Sequence, residues 1–183
     1  IYIYIYKLTT MNPLYILDLI GYYGPVILFV SSIFLLHKKS NYLSAYIIGI
    51  ILSCFSNLVL KEIIKQPRPK GSIHILNSTE NNNHKRIFSS DIYGMPSGHA
   101  QHVFYSTFFI YFVFKNTKLT LLYIVISLLT LTQRIKYQNH TILQVIVGGF
   151  IGALLAYYMY IYADKKIVGK LLPKKEDNAK DIA

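Results

Sequence analysis

Five apolar stretches, each close to or beyond the length a bilayer demands, constrain this chain more than anything else in it. A helix needs about 20 mostly apolar residues to cross the hydrocarbon core, and the windows 14–36, 42–60, 98–114, 119–134 and 141–162 approach or pass that mark. They are apolar on all sides rather than striped. A soluble all-helical protein would show polar faces, so it is the weaker reading. The expected fold class is all-α, a multi-pass transmembrane helical bundle of about five spans. With 183 residues, 53% of them hydrophobic, a single membrane-embedded domain is expected over residues 11–163, followed by a basic polar tail at 164–183.

The formal net charge of +11 raises nucleic acid as a partner, but most of the Lys and Arg stand at span ends and in the tail, where positive charge orients a membrane protein. No nucleic acid partner is expected; the tail suits anionic lipid headgroups. With five spans alternating sides, Lys38, Lys39, Lys115, Lys118, Lys165, Lys166, Lys170, Lys174, Lys175 and Lys180 share one face, which is assigned to the cytoplasm. The opposite face also carries nine basic residues, so the bias is clear only if Lys61, Arg68 and Arg134 are set apart as functional. That face holds the one long connection, residues 61–97, with the glycosylation tripeptide Asn77-Ser78-Thr79, usable only on a lumenal side. The lone cysteine, Cys54, lies within a span and pairs with nothing in the chain.

The first apolar run is too long, and lacks the small-residue site, for a cleavable signal peptide, so the first helix is expected to serve as an uncleaved anchor. The opening Ile-Tyr repeat is what an alternating AT nucleotide run encodes, and Met11 is the first methionine. Residues 1–10 therefore read as translated upstream sequence. Abundant Ile, Asn, Lys and Tyr without Trp fits an AT-rich genome.

Three clusters on the long-loop face carry groups able to hold and cleave a phosphate. The first runs from Lys61 to Arg68-Pro69. Arg offers a planar fork to two phosphate oxygens and Lys a mobile point charge, although either at a helix end also serves as a snorkelling anchor. The second, Tyr93-Gly94-Met95-Pro96-Ser97-Gly98-His99, opens the third span. There the free amides of a helix start attract an anion, Gly98 admits close backbone approach, and the Ser97 hydroxyl can donate. The competing reading is an ordinary capped helix start with an interfacial histidine. The third is Arg134-Ile-Lys-Tyr-Gln-Asn-His140-Thr-Ile-Leu-Gln144. His140 and Gln144, four apart, share a helical face, and the Gln144 carbonyl oxygen is expected to accept the hydrogen bond that orients the imidazole.

Lys61, six residues, Arg68-Pro69, then Pro96-Ser97-Gly98-His99, then Arg134, five residues, His140 together resemble the three-part signature of the type 2 phosphatidic acid phosphatase superfamily of lipid phosphate phosphatases. The likeness runs from Lys61 to the glycines at 148, 149 and 152, about half the chain. It implies a helical bundle in which His140 is the nucleophile, forming a phosphohistidine, and His99 the general acid. Lys61, Arg68, Ser97, Gly98 and Arg134 would hold the phosphoryl oxygens. Two positions depart from the pattern: Gln133 stands where Ser is usual, and Gln144 where Asp is usual. A neutral amide supports an imidazolium less than a carboxylate does. Yet Tyr93-Gly94-Met95-Pro96-Ser97, Ala100-Gln101 and His140-Thr141-x-x-Gln144-Val145 with Gly148-Gly149 resemble the dolichyldiphosphatase branch, where this Gln is at home.

The expected activity is hydrolysis of a polyprenyl diphosphate, dolichyl diphosphate foremost, to the monophosphate and inorganic phosphate, in the endoplasmic reticulum membrane if the source is eukaryotic, with the site lumenal or exoplasmic. Alternatives are a phosphatidate or general lipid phosphate phosphatase, and a catalytically inactive lipid-binding member. A soluble vanadium-dependent haloperoxidase, which shares the motifs distantly, is disfavoured by five spans. No metal or other cofactor is expected: on this face only Glu62, Glu80 and Asp91 offer carboxylates, too few for a two-metal site.

Overall fold

The computed structural model describes residues 13–71 and 92–171. The reading of residues 1–10, the Asn77 tripeptide and most of the basic tail lie outside the described residues. Among the described residues five helices follow one another: α1 Pro13–Leu36, α2 Ser40–Ile64, α3 Gly98–Phe114, α4 Thr117–Lys136 and α5 Ile142–Leu171. No strand is present among the described residues. Four of the helices, α1, α2, α4 and α5, are long and apolar enough to cross a membrane. Large apolar side chains such as Phe34, Phe55, Ile63 and Phe150 face outward. A surface of that kind suits lipid, where a soluble bundle would carry polar groups. The protein is a multi-pass membrane protein.

Local chemistry sets the turns. The backbone of Lys65 and of Lys115 enters the left-handed region (φ 49° and 48°), and each amide closes onto the carbonyl four residues earlier, ending α2 and α3. Asn116 then caps α4, its side chain accepting from the Leu119 amide at 3.0 Å. Short turns at 37–39, 115–116 and 137–141 leave the segment between α2 and α3 as the one long connection.

The fifth helix, α3, has 17 residues, about 26 Å of rise at 1.5 Å per residue. It touches all four others and buries residues around most of its circumference, from Ala100, Gln101 and Val103 to Tyr105, Ser106, Phe109 and Ile110. Two glycines bring α5 against it: a Cβ on Gly148 would strike the Ser97 carbonyl oxygen, and one on Gly152 the Gln101 carbonyl oxygen. Small residues four apart allow this backbone contact between helices in a membrane, where dispersion must replace the hydrophobic effect. On the α2 side, Gln101 donates to the Ser53 carbonyl (3.0 Å) and hydroxyl (3.0 Å) and accepts from Asn57 (2.8 Å), so the buried amide is satisfied. The α1–α4 pair closes differently. Gly21 lies against Leu129 and Gln133, Gly24 against Thr130, and the Tyr123 hydroxyl meets Ser31 at 2.8 Å.

Candidate active site

Every site residue expected from the sequence falls at the end of the bundle where α2 and α4 finish and α3 and α5 begin. What gathers them is the backbone of the long connection. Pro67 and Tyr93 form an isolated antiparallel bridge, and the Gly94 amide donates to the Gln66 carbonyl at 2.8 Å. Asn57 of α2 donates to the Pro96 carbonyl at 3.3 Å. The Lys61 and Arg68-Pro69 segment is thereby laid beside the Tyr93–His99 segment.

At the α3 start, Ser97 occupies the N-cap position with extended backbone (φ −72°, ψ 114°), yet its side chain makes no capping bond. Its hydroxyl is fully buried and has no hydrogen-bond partner, at the mouth of a helix whose first amides favour an anion. The Ser97 amide donates to the Gln144 carbonyl at 3.0 Å, tying α3 to the first turn of α5. A side chain on Gly98 would stand 3.3 Å from the Asn57 side chain, so the glycine keeps this rim low.

Between α4 and α5 the chain turns back over the Arg134 carbonyl, which accepts from the Asn139 amide (3.0 Å) and the His140 amide (3.2 Å). Arg68 reaches the same turn, donating from Nη1 to the Asn139 carbonyl at 3.3 Å. His140 is buried, with Nδ1 2.9 Å from the Gly94 carbonyl oxygen. A carbonyl only accepts, so Nδ1 carries the proton and Nε2 keeps its lone pair. Burial, then the cations Arg68, Arg134 and Lys61, push the imidazole down to about 3, against a smaller upward pull from Gly94. His140 is therefore neutral near pH 7. His99 stands on the first turn of α3, in electrostatic contact with Arg134, His140 and Arg68. The assembled groups can bind an anion and present an imidazole nitrogen to it.

Gln144 does not orient His140. Its carbonyl oxygen accepts from the Thr141 amide (3.1 Å) while the Thr141 hydroxyl accepts from the Gln144 amide (3.2 Å), a reciprocal capping box at the start of α5. Its NH2 donates to the Gln66 side-chain oxygen (3.0 Å) and the Pro67 carbonyl (2.9 Å). His140 lies before α5, which begins at Ile142, so the two do not share a helical face; capping the helix consumes the acceptor, and the Gly94 carbonyl takes its place. The Thr-x-x-Gln spacing was the available signal. Gly94 stood in the second sequence cluster without a role, and Gln66 and Asn57 were given none; Tyr22 of α1, whose ring lies 6.2 Å from that of His99, was not named either. Among the described residues no group of three or more His, Cys, Asp or Glu is placed to hold a metal.

A membrane bundle with a neutral histidine set among three cations belongs with proteins that handle phosphate esters at a bilayer, and residues 42–167 match the PAP2 superfamily. The chain belongs to this family of phosphatases. Among curated relatives it is similar to dolichyldiphosphatase 1 of Plecturocebus moloch (27% identical) and of Homo sapiens (26%), each over 82% of this chain and 65% of the relative. The mouse protein of the same name, from Mus musculus, is 28% identical over 76% of this chain and 60% of the relative. The chain thus spans about 65% of the length of the relatives it matches. No solved structure matches it significantly.

Proposed function

We propose that this protein hydrolyses a polyprenyl diphosphate, with dolichyl diphosphate the leading candidate, to the monophosphate and inorganic phosphate. The observation that carries the reading is the buried His140, with Nδ1 on the Gly94 carbonyl and Lys61, Arg68 and Arg134 around it. Nε2 attacks the terminal phosphorus and forms a P–N bond, while the bridging P–O bond breaks and its electron pair leaves with the lipid monophosphate. His99 supplies a proton to the departing oxygen. Water then attacks the phosphohistidine, giving its proton to His99; inorganic phosphate leaves and His140 is restored. Lys61, Arg68, Arg134, the Ser97 hydroxyl and the α3 amides meet the charge on the transferring group, which is the role a metal would otherwise fill. The relatives' names supply the dolichyl assignment.

We assign the site to the lumenal or exoplasmic side because the opposite end carries short Lys-bearing turns at 37–39 and 115–116; the endoplasmic reticulum membrane of a eukaryotic source follows from the dolichyl reading. Residues 11–163 would form the phosphatase domain. The test uses purified protein in detergent with chelator present, assayed for phosphate release from dolichyl diphosphate, farnesyl diphosphate and phosphatidate. Fastest turnover of a prenyl diphosphate is expected. Preference for phosphatidate would overturn the substrate, and inhibition by chelator reversed by magnesium would overturn the metal-free mechanism.

A further inference from the structure

The α1–α4 seam borders the site at two adjacent positions. Gly21-Tyr22 on α1 faces Gln133-Arg134 on α4: a Cβ at Gly21 would lie 2.9 Å from the Gln133 Cβ, and Tyr22 is in electrostatic contact with Arg134. Other rungs of this seam are closed by hydrogen bonds. Asp18 accepts from Lys136 and Tyr137, and Tyr123 meets Ser31 and Ser32. Gln133 breaks the pattern. It is 1% exposed, and neither its amide nitrogen nor its amide oxygen has a hydrogen-bond partner. An amide left so in an apolar seam carries an uncompensated desolvation cost, so packing alone is a poor reason for it. Tyr22 is likewise distinct from its neighbour. Tyr23 is turned outward to lipid, whereas Tyr22 packs edge-on against it (4.9 Å) and approaches the ring of His99.

We propose that Tyr22 and Gln133 form a subsite for the second phosphate of a lipid diphosphate, the one that departs with the lipid. The inference rests on the diphosphate reading above. His99 marks the leaving-group side, and Tyr22 lies on that side. As the bridging P–O bond breaks, its electron pair adds negative charge to the departing phosphate, and a phenol O–H and an amide N–H are suited donors for it. From a lipid monophosphate the lipid departs as an alcohol, protonated by His99, and presents no second set of phosphate oxygens. The seam would thus discriminate between the two substrate classes rather than assist both equally.

The test measures kcat/KM on farnesyl diphosphate and farnesyl monophosphate for the wild type, Tyr22→Phe and Gln133→Leu, and inhibition by pyrophosphate and orthophosphate. The variants should lose about 10-fold or more on the diphosphate, at least 5-fold more than on the monophosphate, with pyrophosphate inhibition weakened more than orthophosphate inhibition. Tyr22→Phe keeps the ring and its packing, so it decides the matter if Gln133→Leu does not fold. An unchanged diphosphate-to-monophosphate ratio in Tyr22→Phe, with unchanged relative inhibition by pyrophosphate, overturns the subsite. A wild type that favours the monophosphate overturns the diphosphate reading instead, and the subsite then stands or falls on the pyrophosphate measurement.

Discussion

Nδ1 of His140 lies 2.9 Å from the carbonyl oxygen of Gly94, a residue 46 positions earlier that reaches it through the antiparallel contact of Pro67 with Tyr93. A neutral dipole fixes the tautomer without adding a negative charge beside an anionic substrate. With His140 as nucleophile, His140→Ala should lower turnover at least about 1,000-fold. The wild type, quenched in acid-free conditions during turnover, should yield a phosphohistidine by mass spectrometry. Near-wild-type turnover of His140→Ala would exclude this role.

Gln144 serves two segments at once, and neither an acid nor a shorter chain replaces it. Gln144→Glu keeps an acceptor for the Thr141 amide but sets a carboxylate against the Pro67 carbonyl and the Gln66 side-chain oxygen. Gln144→Asp, restoring the residue usual in the superfamily, also fails to span the same distances. Both should lower the unfolding temperature in detergent and reduce kcat, Asp included, through about 1–3 kcal/mol per disrupted buried partner. A Gln144→Asp variant more active than wild type, at undiminished stability, would contradict the capping role.

The depressed imidazole of His140 links stability to pH. Between its ordinary value of 6.5 and about 3, the unfolded chain holds a proton that the folded chain does not. Stability should therefore rise as pH increases across that window and be lost as pH falls through it. Unfolding temperatures of the wild type from pH 4 to 7 should climb more steeply than those of His140→Gln. Parallel curves would show that His140 does not titrate between the two states as described.

Helix spacing offers a separate check on the site. Gly152→Ala places a methyl against the Gln101 carbonyl, a backbone atom that cannot turn aside, whereas Gly149→Ala meets only the Phe104 ring at 3.3 Å. The first should cost roughly 1–3 kcal/mol of stability and lower activity by separating α3 from α5; the second should do less of both. Equal thermal shifts in the two variants would refute this packing.

Much of the architecture is written in local composition. Uniformly apolar windows must be helices in a bilayer because every backbone amide and carbonyl has to be satisfied within the segment, and the windows at 14–36, 42–60, 119–134 and 141–162 fall within a few residues of α1, α2, α4 and, except where it runs on to Leu171, α5. Window 98–114 coincides with α3. The charged and histidine residues of the site could also be named, since cations and imidazoles at span ends stand out against apolar sequence. Tertiary structure alone decided that α3 is the central helix, because which helices surround which depends on glycine contacts between distant segments. It alone assigned the partner of His140: every residue carries a carbonyl, so nothing in Gly94 itself distinguishes it until the chain folds back. The same holds for Gln144, whose amide has several possible uses and is committed to the helix start and the Gln66-Pro67 segment only by where α5 begins.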